Sequence, residues 1–272
     1  MTEDASAAAL PFVAPCRGLA PTAPLRWIRL GWHDMWSAPR QSLTYGGIVV
    51  FLSLALAAVT IEFGGYWELL SLVSGFILIS PALAVGTYVI SNQLERGERP
   101  SLRRCVREEQ RVFGNLMVFA LMLMIVFLVW ARAGSAVHVF FPVGEAPGWR
   151  DYLTFFGIGS AIGSIFAIVV FSAAAFSLPM MVDRRVDTVT AVVTSINAVL
   201  RNKPAMAVWA ACIVVAVAPG FALLLMGRDR GAGFAWIMVA LGVTLPLIGH
   251  ATWHGYRETI DAGAWPLHAE TD

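Results

Sequence analysis

Residues 112–131 read VFGNLMVFALMLMIVFLVWA, a run without a single Asp, Glu, Lys or Arg. At about 1.5 Å of rise per residue, a helix of this length matches the roughly 30 Å hydrocarbon core of a bilayer. Lipid offers no partners to backbone amides and carbonyls, so such a run is expected to be helical. Five more charge-free runs occupy residues 41–61, 69–94, 152–182, 204–227 and 231–256. Of the 272 residues, 58% are hydrophobic and 14% charged, which lies outside the range of soluble globular domains. The expected fold is all-α: a polytopic membrane helix bundle of about six transmembrane helices, at about 42–62, 69–92, 112–132, 153–178, 205–227 and 232–253.

Charge placement orients the bundle. Before the first run, in the second and fourth intervals and after the last run lie 15 of the 19 Lys and Arg residues. The positive-inside rule then puts both termini in the cytoplasm, with the chain multi-pass in a bacterial inner membrane. A net charge of +1 gives no bulk field for nucleic acid. Residues 1–24 are Ala- and Pro-rich and are expected as a disordered cytoplasmic tail, residues 25–265 as a single membrane domain, and residues 266–272 as a second tail. No charged n-region and continuous apolar h-region precede Cys16, which argues against a signal peptide or lipid attachment. Cys16, Cys105 and Cys212 are spaced as plain thiols, with no metal or disulfide pattern.

Amphipathic segments flank the spans. Leu25, Ile28, Trp32, Met35 and Trp36 share one helical face, while Arg26, Arg29, His33 and Asp34 lie elsewhere, as in a helix lying among lipid headgroups. A second such helix ends at Asn202-Lys203-Pro204. A shift of 165 residues superposes Pro39 on Pro204, Ile48-Val49-Val50 on Ile213-Val214-Val215, Pro81 on Pro246 and Thr87 on Thr252. This predicts an internal repeat, a parallel duplication of residues 25–100 and 190–265, with Pro81 and Pro246 as helix kinks. In the second interval, Pro100-Ser101 caps a further helix with Leu102, Cys105, Val106 and Phe113 on one face. Opposite stand Arg103, Arg104, Arg107 and Arg111, expected with Arg26 and Arg29 to contact anionic lipid headgroups. Gly159 and Gly163 form a GxxxG spacing that suits close helix packing.

Chemistry-bearing patterns are few. His250 and His254 stand at i and i+4 within GHATWHGYR, one turn apart on a helix face. Two imidazoles could hold a metal ion or one axial side of a haem, could relay protons or substrate, or could serve as interfacial packing beside Trp253 and Tyr256. No phosphate loop, HExxH, CxxC or suggestive Ser/His/Asp placement occurs, so no enzyme and no cofactor is expected.

The segments GWHDMWSAPRQSLTYGG, SGFILISPALAVGTYVISNQLERGERPSL, SLPMMVDRRVD and PLIGHATWHGYR resemble the bacterial predicted integral membrane proteins of a domain-of-unknown-function family, DUF2189, over nearly everything after the tail. The resemblance implies a membrane fold and no established activity. Some relatives carry a cytochrome c oxidase label, but a haem-copper catalytic subunit needs more spans and more intramembrane histidines than this chain's five. The favoured expectation is a non-enzymatic accessory, assembly or scaffold component that meets membrane lipid and a membrane-protein partner or respiratory complex. Two alternatives stand beside it: a small-solute or lipid transporter framed by the two prolines, and a metal or haem binder at His250 and His254.

Overall fold

The computed structural model describes residues 11–63, 83–137, 148–226 and 230–268. In chain order the helices are α1 (Ala23–Ser37), α2 (Pro39–Phe63), α3 (83–95), α4 (Leu102–Val137), α5 (Trp149–Ala174), α6 (Ser177–Asp183), α7 (Thr188–Arg201), α8 (Lys203–Met226) and α9 (Arg230–Thr259). The described residues are all-helical as expected, their remaining pairings being isolated bridges. Among the described residues, Leu102–Ala136 and Trp149–Asp183 are long and apolar enough to cross a membrane, and the bent pair α7–α8 would make a third. Six spans remain the hydropathy expectation. Most of the second run, with Pro81, lies outside the described residues.

The helix boundaries have local causes. Asp187 caps α7 by accepting from the Thr190 amide at 2.9 Å, which satisfies one of the amides a helix start leaves bare. Between α5 and α6 the hydroxyl of Ser195, on α7, enters the backbone ladder. It accepts from the Phe176 amide at 3.0 Å and donates to the Ser172 carbonyl at 2.7 Å. Those two groups would bond each other in a continuous helix, so the inserted hydroxyl produces the break. A one-residue break also separates α1 from α2 at Ala38 and α7 from α8 at Asn202, the latter pair bending by 102°. Each break precedes a long helix with proline in its first two positions, Pro39 or Pro204, where the missing N–H costs nothing.

Packing centres on α9, which lies against α1, α2 and α8. Trp27 of α1 is fully buried and meets Trp209 and Phe176 edge-on, with centroids 5.7 and 6.1 Å away. A Cβ on Gly31 would lie 2.6 Å from the Ala251 amide nitrogen, so only glycine lets α1 and α9 approach this closely. A Cβ on Gly46 of α2 would overlap the Gly242 carbonyl oxygen of α9. Pro246 stands four residues after Gly242 inside α9 and has no N–H to offer that carbonyl. Gly46 approaches that carbonyl closely, and α9 stays helical through Pro246.

Several expectations need correction. The interval helix around Arg103–Arg111 and the span 112–132 are one helix, α4, whose buried face is Cys105, Val112, Leu116 and Phe119, while Leu102, Val106 and Phe113 are exposed. The N-terminal stretch 1–24 is not all tail. Ala14 donates to Thr194 Oγ1, Leu19 to Asn202 Oδ1, Arg17 to the Thr259 carbonyl and Asp261 to the Pro15 carbonyl, all within 2.8–3.1 Å. Those pairings, together with Ala23 and Pro24 buried in α1, hold residues 14–24 in place. At the other end Arg185 donates to the Pro266 carbonyl and Arg184 pairs with Leu267, so residues 266–268 are docked as well. Among the described residues a Cβ on Gly163 would meet nothing within 4 Å, and Gly163 lines an apolar groove with Leu123, Phe127 and Trp130 of α4.

Candidate functional site: a buried histidine chain and an arginine-walled cavity

Helix α9 presents His250 and His254 one turn apart, as their spacing predicts, and tertiary packing supplies their partners. His250 Nε2 lies 2.9 Å from Ser42 Oγ of α2, and its Nδ1 lies 2.8 Å from Ser91 Oγ of α3. Ser91 donates to Asp34 Oδ2 at 2.7 Å, and His254 Nε2 stands 2.8 Å from the same oxygen. One proton arrangement satisfies every atom. Ser91 donates to Asp34, so its oxygen is left to accept from His250 Nδ1–H, and Nε2 then accepts from Ser42. That arrangement sets the tautomer of His250.

Ser42, Ser91 and His250 have no solvent exposure, and Asp34 only 6%. Burial alone would raise the carboxyl of Asp34; the hydrogen bonds from His254 and Ser91 and the nearby imidazoles hold it below the ordinary carboxylate value. A serine beside a histidine is also the nucleophile–base pair of hydrolases. Here both are sealed from solvent, so no substrate reaches them in this conformation. Among the described residues no three His, Cys, Asp or Glu side chains are arranged to hold a metal, and a metal or haem iron at His250 would have to displace a serine.

The rest of GHATWHGYR works the same way. Trp253 donates to Glu95 at 2.9 Å, which also takes Arg257 at 2.9 Å. Tyr256 donates to Asp183 at 2.7 Å, beside Arg184 and Arg257. The following Glu258 accepts from Trp27 at 2.7 Å and pairs with Arg26. About two and a half turns of α9 thus tie α1, α2, α3 and α6 together. Arg26 is committed to Glu258 in addition to facing outward, while Arg29 is exposed.

Against this hub sits a cavity of about 500 Å³, between the end of α3, the start of α4, the end of α6 and the C-terminal stretch. Its shape comes from a tight reversal. Gly97, at φ 72°, ends α3: its own amide reaches the Leu94 carbonyl and that of Glu98 the Gln93 carbonyl, the double bond that closes a helix on a left-handed glycine. Gln93 Oε1 then accepts from the Ser101 amide at 3.0 Å and sets the first turn of α4. The reversal folds Arg96 and Arg99 toward Arg103, Arg104, Arg107 and Arg111, all six lining the cavity with Glu98, Glu108, Asp183 and His268. Arg103, Arg104, Arg107 and Arg111, expected to contact lipid headgroups, line one open cavity. Arg104 pairs with Glu98 and Arg111 with Glu108.

Residues 69–183 match the family model of DUF2189, predicted integral membrane protein. It is the family whose resemblance the sequence carries. The DUF2189 segment is narrower than that resemblance: it holds all six cavity arginines, Ser91, Glu95 and Asp183, but ends before α7, so Asp34, Ser42, His250 and His254 lie outside it. No curated protein and no solved structure matches the chain. Sequence reading missed Asp34, Ser42, Ser91, Glu95, Asp183 and His268. For Asp34 a signal was present: Trp27, Gly31 and Asp34 fall at i, i+4 and i+7, the phase of a buried stripe. Nothing local distinguishes Ser42 or Ser91 from other serines in apolar helices.

Proposed function

We propose that this protein is a non-enzymatic accessory or scaffold component of a membrane assembly, multi-pass in the cytoplasmic membrane, with its arginine-rich end toward the cytoplasm. One observation carries the reading: His250, the most chemically suggestive residue, is fully buried with both ring nitrogens engaged by serines, so it serves to join helices. The orientation follows from the clustering of arginines at the α3–α4 end. Outward faces of α4 and α5 add support, since Leu121, Ile125, Phe156, Ile165 and Ile168 stay more than half exposed. Such a face suits lipid or the helices of a partner.

The test is affinity purification of the full chain in a mild detergent, followed by native mass spectrometry, alongside membrane complexes compared between wild-type and deletion strains. The expected result is a co-purifying membrane protein whose complex loses abundance in the deletion strain. A lone protein, with every complex unchanged, would sink the reading.

A further inference from the structure

We infer that the arginine-walled cavity is a binding site for a phosphomonoester dianion presented at the membrane surface. Six guanidiniums line the cavity against three carboxylates. Of those carboxylates, Glu98 and Glu108 each hold one arginine of the wall. The third, Asp183, is turned to Tyr256, Arg184 and Arg257, none of which lines the cavity. No ion pair joins Arg99 or Arg103 to a carboxylate among the described residues. Arg99 and Arg103 therefore leave positive charge on the wall that no carboxylate among the described residues pairs with.

Three features select the ligand. Guanidinium forks present paired N–H donors that match phosphate oxygens two at a time. The first turn of α4 points the positive end of a helix of 36 residues at the same space. A volume of about 500 Å³ admits a phosphate together with the group that carries it. Two negative charges match the two guanidiniums of Arg99 and Arg103 better than the single charge of a phosphodiester. Position limits the source to two. The cavity sits at the N-terminal end of α4, the candidate span Leu102–Ala136, a position that suits a lipid phosphomonoester at the membrane surface or a soluble one.

The experiment uses the full chain in a non-ionic detergent, titrated with phosphatidic acid, phosphatidylglycerol or glycerol 3-phosphate, and reads binding by thermal shift and native mass spectrometry. Saturable binding of phosphatidic acid, with phosphatidylglycerol about tenfold weaker or worse, is expected from the value of charge-assisted hydrogen bonds. Binding of phosphatidic acid alone assigns the lipid source; binding of glycerol 3-phosphate as well assigns the phosphate itself, and both support the site. Arg99→Gln with Arg103→Gln replaces exposed side chains and should leave the unliganded melting temperature in place while weakening binding about tenfold or more. Arg26→Gln with Arg29→Gln, on α1, should stay within about twofold of wild type. The inference is overturned if neither phosphomonoester binds saturably, if the Arg99/Arg103 variant binds as wild type, or if the α1 variant loses as much, which would mean adsorption to any cationic surface. None of these outcomes depends on whether a protein partner exists.

Discussion

His250 shows how much a single side chain can organise. Its neighbours Ser42 and Ser91 come from sequence positions 208 and 159 residues away, and both hydroxyls would be left without their imidazole by His250→Ala. A vacated ring, a buried Ser42 hydroxyl without its partner and a Ser91 hydroxyl left with Asp34 alone should cost about 2–4 kcal/mol. Chemical or thermal unfolding in detergent measures this, with His33→Ala as control: that ring is 78% exposed, and its loss should stay within about 0.5 kcal/mol. A His250→Ala protein as stable as wild type would show that the chain of hydrogen bonds holds nothing together. The i, i+4 histidine pair was legible in the sequence. Its meaning was not, because an isolated pair reads equally as ligand, relay or packing until the serines and Asp34 are placed against it.

At the scale of elements, the crossing of α2 and α9 depends on two residues in different helices. Pro246 withholds an N–H from the Gly242 carbonyl, and Gly46 is small enough to meet that carbonyl. Gly46→Ala would force the helices apart and is expected to cost about 1–3 kcal/mol. Gly47→Ala, where a Cβ meets nothing within 4 Å among the described residues, should be neutral or stabilising by up to about 1 kcal/mol, since alanine is the better helix former. Unfolding measurements on the two variants separate close approach from helix propensity, and equal effects would refute the crossing. Sequence periodicity located the proline and expected a kink. It gave no hint of the partner glycine, because close approach is a property of two helices together. The break at Ser195 is similar: a serine on α7 interrupts a ladder nearly twenty residues earlier in the chain.

The whole molecule is closed by its two ends. Residues 14–19 pair with Thr194, Asn202 and Thr259, and residues 265–268 with α6 and the turn after it. This closure has a pH dependence. Burial, with Arg111 nearby, lowers the affinity of His268 for a proton below the ordinary value of 6.5, against the opposing pull of Glu108 and the backbone carbonyls of Met181 and Arg184. The unfolded chain then takes up a proton before the folded one does, so stability is lost as pH falls through 6.5 toward the lower folded value. Melting temperatures measured from pH 7.5 down to about pH 5.5 should fall, and the fall should flatten in His268→Asn. An unchanged slope in that variant would assign the pH response to another group.

Helical class, membrane environment and the uneven distribution of arginine follow from the sequence alone, because hydrophobicity over a bilayer's thickness and the cost of buried charge act on each segment independently. The location of both histidines was likewise a local matter. Tertiary structure alone decided that Asp34 turns inward, that the terminal stretches dock, and that two arginines of the α3–α4 reversal and four of α4 line one cavity. Each of those outcomes depends on which groups meet across long separations: a buried carboxylate is tolerable only once His254 and Ser91 reach it, and a cationic wall forms only once Gly97 has folded α3 back onto α4.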